Sequence, residues 1–471
     1  MTGWPPATRD VGEPPLLIQR GDIFTESALQ ETVEALRNTL ESEGYARAMV
    51  RAECQRLDPT RIVVRFVVEL GNVYHLGSIS VQGTRADLIP LVRRTAGIRG
   101  GELYTPGLIR QSHASLRLLD LYRQIRLTTQ ESGPRTLDLH VDLIERRPRT
   151  LEIGVGYWSD EFLRAHARWQ HRNLLRAGRG FEASTAYSRF RQQVGFSFWW
   201  PAVLGSRTRI VLDGEVETQR EESFDAFSRR LELATVYRAS LVTMLRVGVT
   251  VSDEAFTVKT GDPAAFLEQG GILTVFGAKW MRNSSDDRLN PTSGIVAGLG
   301  VEWAPVGGIS QSHFISGEAD ATVFRRVSHS MVAAARMELG LASPLGTSVD
   351  LLPNQRFFAG GSRSMRGFER RMLGPLDSEG SPVGGEARAL GSFELRVPLL
   401  WRFKAAVFVD VGQVWSKVTA MRRRDLQVAV GPGLMIQTPV GPLRADWGAL
   451  LTDPPSGQPT SAFHVAVGHP F

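Results

Sequence analysis

Across residues 149–471, apolar residues recur at every second position of the chain. Leu151, Ile153, Val155 and Tyr157 form one such series, with glutamate or glycine between them. About sixteen segments of this kind fit into the region, and side chains on a strand alternate between its two faces. A β-sandwich shares this rhythm, but about sixteen strands of roughly 9–11 residues suit a barrel that crosses a membrane. The pattern therefore predicts an all-β membrane domain, a 16-stranded transmembrane β-barrel.

The first third of the chain contains an internal repeat. Gly21-Asp22-Ile23-Phe24-Thr25 and Gly101-Glu102-Leu103-Tyr104-Thr105 match at an offset of 80 positions, and each precedes a helical pattern. The threonines are predicted helix N-caps, and alternating strands follow each helix. We therefore expect two small α+β modules, at residues 16–75 and 76–148, each with a strand, helices and two further strands. Residues 1–15, rich in proline, are predicted to form an irregular segment.

A barrel must pair its last strand with its first, because an open edge leaves backbone groups unsatisfied. The last strand is predicted to place one apolar series on one face: Phe463, Val465, Val467 and Phe471. Its seam partner is the first strand, with Leu151, Ile153, Val155 and Tyr157. His469 interrupts the apolar series, and Pro470 has no N–H for the ladder. We therefore expect a weak seam.

One connection, at about residues 346–384, is far longer than the predicted turns. Connections of that length are usually functional. The candidate functional residues of this lumen loop are glycines and apolar side chains around one arginine: Gly360, Gly361, Met365, Arg366, Gly367 and Phe368. Glycine permits tight turns and close approach of the backbone where a Cβ would clash. We expect the loop to be packed inside the barrel and to place Arg366 there.

Composition excludes several classes of protein. No run of 18 apolar residues occurs, so a transmembrane helix is not expected. The single cysteine, Cys54, excludes an internal disulfide and a CxxC motif. GxSxG, P-loop and HExxH motifs are absent from the sequence, so we expect neither an enzyme nor a metal or cofactor. The net charge of +6 comes mostly from dispersed arginines, so nucleic acid is not an expected partner.

The stretch from Gly71 to Gly83 reads GxxYxxGxIxxxG. It is similar to the junction between successive POTRA domains, periplasmic modules of outer-membrane assembly factors. With the sixteen strands and the GGSRSMRGF segment before the twelfth, the whole chain resembles the BamA and TamA superfamily. Gly21-Asp22 and the turn from Tyr157 to Asp160 are most similar to the TamA branch.

The resemblance implies a role for the loop arginine. In that superfamily, the arginine of this motif lies in the lumen and pairs with acidic residues on neighbouring strands. In this sequence, Glu394 and Asp410 alternate with apolar residues that face lipid, so both point inward and are the expected partners of Arg366. The alternative is that Arg366 lies in lumen water. Relatives often carry an acidic residue where Ser362 stands.

The resemblance also implies a function, a location and partners. The function is insertion of outer-membrane proteins, autotransporters included, through a lateral seam between the first and last strands. The barrel would lie in the outer membrane of a Gram-negative bacterium with its POTRA modules in the periplasm, where a TamB-like protein anchored in the inner membrane would bind them. The alternative is a two-partner-secretion transporter that exports one unfolded polypeptide. That class usually has an N-terminal plug helix, and residues 1–15 contain no amphipathic helix.

The TamA branch normally has three POTRA modules, and here we count two. Residues 1–15 also lack the basic and apolar regions of a signal peptide. We expect a truncated start to account for both observations.

Overall fold

The computed structural model describes residues 4–5, 16–19, 21–259, 266, 270–288, 290–307, 309–328, 330–400, 402–438, 441–453 and 458–467. The chain divides into two compact units; the main division falls between Arg147 and Pro148, and two short later segments, Leu175–Gly178 and Leu204–Arg207, are grouped with the first unit. Within these ranges, none of the helices combines the length and the apolar character needed to cross a membrane.

The first module of the N-terminal unit is one helix with a two-stranded sheet. Its elements are α1 (Glu26–Ser42), β1 (Met49–Asp58) and β2 (Arg61–Glu69). As predicted, Thr25 caps the helix, since its hydroxyl accepts a hydrogen bond of 3.2 Å from the N–H of Ala28. Leu36 and Leu40 are fully buried on the inner face of α1, so an apolar stripe attaches this helix to the module core.

The strand predicted before α1 is absent from the described residues 16–19, so that prediction was wrong there. The chain turns instead, because the N–H of Gln19 donates to the carboxylate of Asp22 at 2.8 Å and the N–H of Asp22 donates back to the carbonyl of Gln19. Leu16 and Leu17 are exposed at this turn.

The second module is a three-stranded sheet covered by two helices. Its elements are β3 (His75–Gln82), α2 (Ile89–Ala96), α3 (Pro106–Leu118), β4 (Tyr122–Gly133) and β5 (Thr136–Glu145). The order is β3-β5-β4, with β3 parallel and β4 antiparallel to β5. Thr105 caps α3 as predicted, with Pro106 as the first helical residue. Gly83 has a φ of +74°, and a Cβ there would collide with the carbonyl of Leu143, so the GxxYxxGxIxxxG pattern ends on a position that requires glycine.

Burial in this module raises the pKa of Tyr122 to about 12, although Thr84 lies 3.2 Å from its hydroxyl and opposes the rise. An unfolded tyrosine titrates near about pH 10, so the folded module holds this proton more tightly. The stabilisation is complete below about pH 10 and is lost as the pH rises toward about 12. We expect the module to unfold at lower denaturant concentration at about pH 11 than at about pH 9, and Tyr122→Phe to reduce this difference. Spectrophotometric tyrosine titration checks the assignment: identical curves for both proteins would contradict it.

The second unit is a closed barrel of sixteen strands in which neighbouring strands are antiparallel, as the sequence predicted. The strands are β6 (Arg149–Trp158), β7 (Phe162–His171), β8 (Gly180–Tyr187), β9 (Arg191–Pro201), β10 (Thr208–Arg220), β11 (Phe224–Arg238), β12 (Thr243–Val258), β13 (Gly270–Asn283), β14 (Gly294–Ala304), β15 (Phe314–Arg326), β16 (Val332–Pro344), β17 (Ala387–Pro398), β18 (Phe403–Trp415), β19 (Gln427–Thr438), β20 (Gly441–Leu450) and β21 (Ser461–Val467).

The two faces of the barrel wall differ in chemistry. On β17, Phe393 is 53% exposed on the outer face, while the alternate residue Glu394 is fully buried inside. On β18, Val407 is exposed and Phe408 is buried. An apolar outer face and a polar inner face with period two are the arrangement of a barrel that lies in lipid.

Candidate functional site

The predicted lumen loop joins β16 to β17 through residues 345–386 and is packed within the barrel. Met365 and Phe368 are buried to 0% and 1% exposure. They belong to one apolar cluster that also includes inner-wall residues: Ala359, Met365, Phe368, Leu373, Leu390, Val414, Ala429 and Leu450. Burial of this apolar surface against the wall favours a loop that stays inside the lumen.

Glycines shape the loop in two ways. Gly360 and Gly361 have φ angles of +111° and +99°, a region that other residues rarely adopt. Gly367 serves a different purpose, because a Cβ there would lie 2.5 Å from Leu450 and 2.8 Å from Ala429. The first two glycines make the turn, and the third brings the backbone beside Arg366 against the barrel wall.

The structure brings Arg366 together with both acidic residues named from the sequence. Its Nε and Nη2 donate to the two carboxylate oxygens of Asp410 at 2.8 and 2.6 Å, and its Nη1 donates to Glu394 at 2.7 Å. The backbone N–H of Arg366 also donates to Asp410, at 3.1 Å. The three residues are between 0% and 2% exposed, so water does not screen these charge-assisted bonds.

Three further charged side chains complete a lumen network that the sequence reasoning missed. Arg444 donates to both oxygens of Glu394 at 3.0 and 2.5 Å, and Arg396 donates to the same carboxylate at 2.7 Å. Arg444 also pairs with Asp446. The network consists of three cations and three anions, all buried: Arg366, Arg396, Arg444, Glu394, Asp410 and Asp446. Its formal charge is therefore zero.

Further contacts hold both the guanidinium group and the backbone carbonyl of Arg366. The guanidinium carbon lies 3.5 Å from the centre of the Phe408 ring, within the range of a cation–π contact. Nε2 of His464, on β21, lies 3.1 Å from the carbonyl oxygen of Arg366. A Cβ on Gly448 of β20 would collide with that same carbonyl group. In the part of the chain that the structure describes, no group of His, Cys, Asp and Glu side chains is arranged to hold a metal ion.

The seam between β21 and β6 has little strand pairing among the described residues. Ala466 and Trp158 are the one residue pair recorded there, whereas the β20–β21 ladder has seven pairs and the β6–β7 ladder has ten. Two hydrogen bonds add to it: the N–H of Ser159 donates to the carbonyl of Val465 at 2.8 Å, and the N–H of Val465 donates to the hydroxyl of Ser159 at 3.1 Å.

The predicted seam residues form an outward apolar surface on β6. Ile153 and Val155 are 69% and 70% exposed, and Leu151 and Tyr157 are exposed on the same face. On β21, Phe463 is likewise 64% exposed. Val465 and Val467 are half-buried. Phe471, together with His469 and Pro470, lies outside the residues that the structure describes.

The lumen loop also contacts the turn beside the seam. The N–H and the hydroxyl of Ser362 both donate to Oδ2 of Asp160, each at 2.9 Å, just after the end of β6. The resemblance suggests an acidic residue at this position, and Ser362 instead donates hydrogen bonds to Asp160. Because His464 is on β21, the loop bonds residues on both sides of the seam.

Two family models match the chain. One, described as the Omp85 superfamily domain, matches residues 173–471. The other, a POTRA model described as a surface antigen variable number repeat, matches residues 13–71.

Known proteins are similar over most of the chain. "Outer membrane protein assembly factor BamA" of Neorickettsia risticii is 24% identical over 93% of this chain and 60% of its own length. The crystal structure of BamA from Haemophilus ducreyi lacking POTRA domains 1-3 has a TM-score of 0.68 and 17% identity, covering 96% of this chain and 95% of that one. CdiB from Acinetobacter baumannii has a TM-score of 0.59 and 14% identity, covering 95% and 83%. At these identities, the solved structures establish a shared fold. The chain spans 55% to 60% of the length of the first three curated relatives it matches.

Proposed function

Because the chain belongs to the Omp85 superfamily, we propose that it inserts other β-barrel proteins, autotransporters included, into the outer membrane through the seam between β6 and β21. The barrel lies in the outer membrane, and the POTRA modules lie in the periplasm. The observation that carries the proposal is the sparse pairing at the seam, with one recorded residue pair between described residues.

Strand chemistry supports this choice of site. A strand edge with free N–H and C=O groups adds a strand from another chain, and in a bilayer those groups need hydrogen-bonding partners. A client strand that pairs with β6 satisfies the backbone groups of this edge and also gains hydrogen-bonding partners for its own backbone in the bilayer. The exposed apolar residues Ile153 and Val155 place lipid beside this edge, so a client that pairs there enters the bilayer sideways.

The POTRA modules supply the second part of the proposed function. In the first module, β1 and β2 form a two-stranded sheet, whose edges suit addition of a strand from another protein. We assign binding of unfolded clients and of a TamB-like protein anchored in the inner membrane to these modules. That assignment makes the chain a TamA-like assembly subunit.

A disulfide across the seam tests the proposal. Trp158→Cys and Ala466→Cys place cysteines at directly paired positions, where the Cα separation suits a disulfide. Cys54→Ser removes the native exposed cysteine. We expect the oxidised barrel to lose insertion of a model barrel client into liposomes, and a reductant to restore it.

The matched control joins β6 to β7 through Ile153→Cys and Ala167→Cys, which are also paired. Oxidation of this control is expected to leave insertion intact, because both strands lie on the same side of the seam. Full insertion of the client by the oxidised seam variant would contradict the proposed lateral route. Secretion of one polypeptide through the locked barrel would then favour the two-partner-secretion alternative.

A further inference from the structure

Two more arginines of the lumen loop bind the barrel wall at a second place. Arg370 donates from Nη1 and Nη2 to the two carboxylate oxygens of Glu221, at 2.6 and 2.9 Å. Arg371 pairs with the same carboxylate at 3.0 Å. Glu221 is 4% exposed and lies in the turn between β10 and β11. Planar, two-pronged pairing of this kind fixes orientation as well as distance.

The barrel wall holds Glu221 in place for this contact. Nε2 of Gln219 donates to its carboxylate at 2.8 Å. The backbone N–H of Glu221 donates to the carbonyl of Phe224 at 2.8 Å, and Nζ of Lys259 donates to the carbonyl of Glu221 at 3.1 Å. The carboxylate is therefore positioned by wall residues as well as by the loop arginines.

The loop backbone is strained at the same point. Arg371 has a φ of +64°, in the left-handed region that a residue with a Cβ rarely adopts. Such a conformation persists where the surrounding contacts hold it. Those contacts are the pairing with Glu221 and the stacking of the guanidinium 4.2 Å from the centre of the Phe358 ring.

The two attachments lie on different strands of the barrel. Arg366 binds β17 and β18, whereas Glu221 joins β10 to β11. In the closed strand order, five strands (β12 to β16) separate these pairs on one side and seven (β19 to β21 and β6 to β9) on the other. A segment from Arg366 to Arg371 therefore connects two parts of the barrel that are distant in strand order.

We propose that Glu221 is a positioning residue that anchors the second end of this segment, so that the loop forms a brace between two parts of the barrel that are distant in strand order. Arg366 fixes the first end of the segment to β17 and β18. The Glu221 pairings fix the second end at the turn between β10 and β11 and hold Arg371 in its left-handed conformation. This brace belongs to the resting barrel and does not depend on the proposed insertion activity.

Distance measurement between spin labels tests the brace. In the Cys54→Ser background, spin labels are attached through Glu369→Cys in the loop and Met421→Cys in the connection between β18 and β19. Both positions are exposed. The wild-type brace predicts one narrow distance distribution in the folded barrel. Glu221→Gln is expected to broaden it or to add a second distance, because a neutral amide loses the ion pairs with Arg370 and Arg371.

Two further variants keep the test decisive. Glu222→Gln removes the neighbouring exposed carboxylate and is expected to leave the narrow distribution unchanged. Arg370→Gln combined with Arg371→Gly removes both pairings with Glu221 and relieves the left-handed strain, so this double variant is expected to broaden the distribution as Glu221→Gln does. A single narrow distance in a folded barrel of either the double variant or Glu221→Gln would overturn the proposal. Because no client takes part, the outcome is independent of the insertion assays.

Discussion

Glu394→Ala is expected to cost the barrel more stability than the loss of any one arginine of the lumen network. Three guanidinium groups, those of Arg366, Arg396 and Arg444, donate to this carboxylate. Its removal leaves three buried cations with two carboxylates, and removing one partner of a buried pair costs about 3–5 kcal/mol. We expect a lower temperature for the loss of the folded, fast-migrating form in semi-native electrophoresis.

Glu318→Ala is the matched control for that substitution. Glu318 lies on β15, its side chain is 59% exposed, and its pairing with Arg388 is loose at 3.8 Å. Exposed pairs contribute about 0–1 kcal/mol, so this variant is expected to unfold close to the wild-type temperature. Equal transition temperatures for the two variants would show that the network does not stabilise the barrel.

Arg366→Ala is expected to destabilise the barrel less than Glu394→Ala but to impair function more specifically. Glu394 keeps Arg396 and Arg444 in this variant, whereas Asp410 loses the cation that binds both its oxygens. The loop also loses its first anchor and the stacking on Phe408. We expect a loss of about 3 kcal/mol, at the low end for a broken buried pair, together with reduced client insertion.

Two further variants serve as comparisons for Arg366→Ala. Arg363→Ala removes an exposed arginine from the same loop and is expected to behave as wild type. Arg366→Lys keeps the charge but loses the planar fork that reaches Asp410 and Glu394 together, so its stability should lie between wild type and Arg366→Ala. Wild-type heat-modifiability and client insertion in Arg366→Ala would count against a stabilising role for the anchor.

The sequence predicts the barrel well because a period of two is a local signal. Residues i and i+2 share a face in any strand, whatever its neighbours. That rule placed Glu394 and Asp410 inward, and the structure finds both within hydrogen-bonding distance of Arg366. The helix caps at Thr25 and Thr105 were also predictable, because a capping residue is recognised from its immediate neighbours in the sequence.

The remaining site residues depend on contacts between distant segments. The same period places Arg444 and Asp446 on the inner face, but nothing in it distinguishes a charge in a buried network from one in lumen water. Glu221 and Arg370 are 149 positions apart, and no local pattern joins them. The left-handed backbone of Arg371 follows from packing inside the barrel, since arginine itself disfavours it.

The seam has a consequence for how the barrel itself is made. The bonds of Arg366 to Glu394 and Asp410 close over 28 and 44 residues, the Glu221 pairing over 149, and the bond between Ser159 and Val465 over 306. Ring closure costs more entropy as the loop grows, by about 0.6 kcal/mol for each doubling, and long-range pairing slows folding. We therefore expect the lumen anchor to nucleate early with β17 and β18, and the first and last strands to meet at the end. The seam that is proposed to open for clients is then also the last part of the barrel to form when this protein itself assembles.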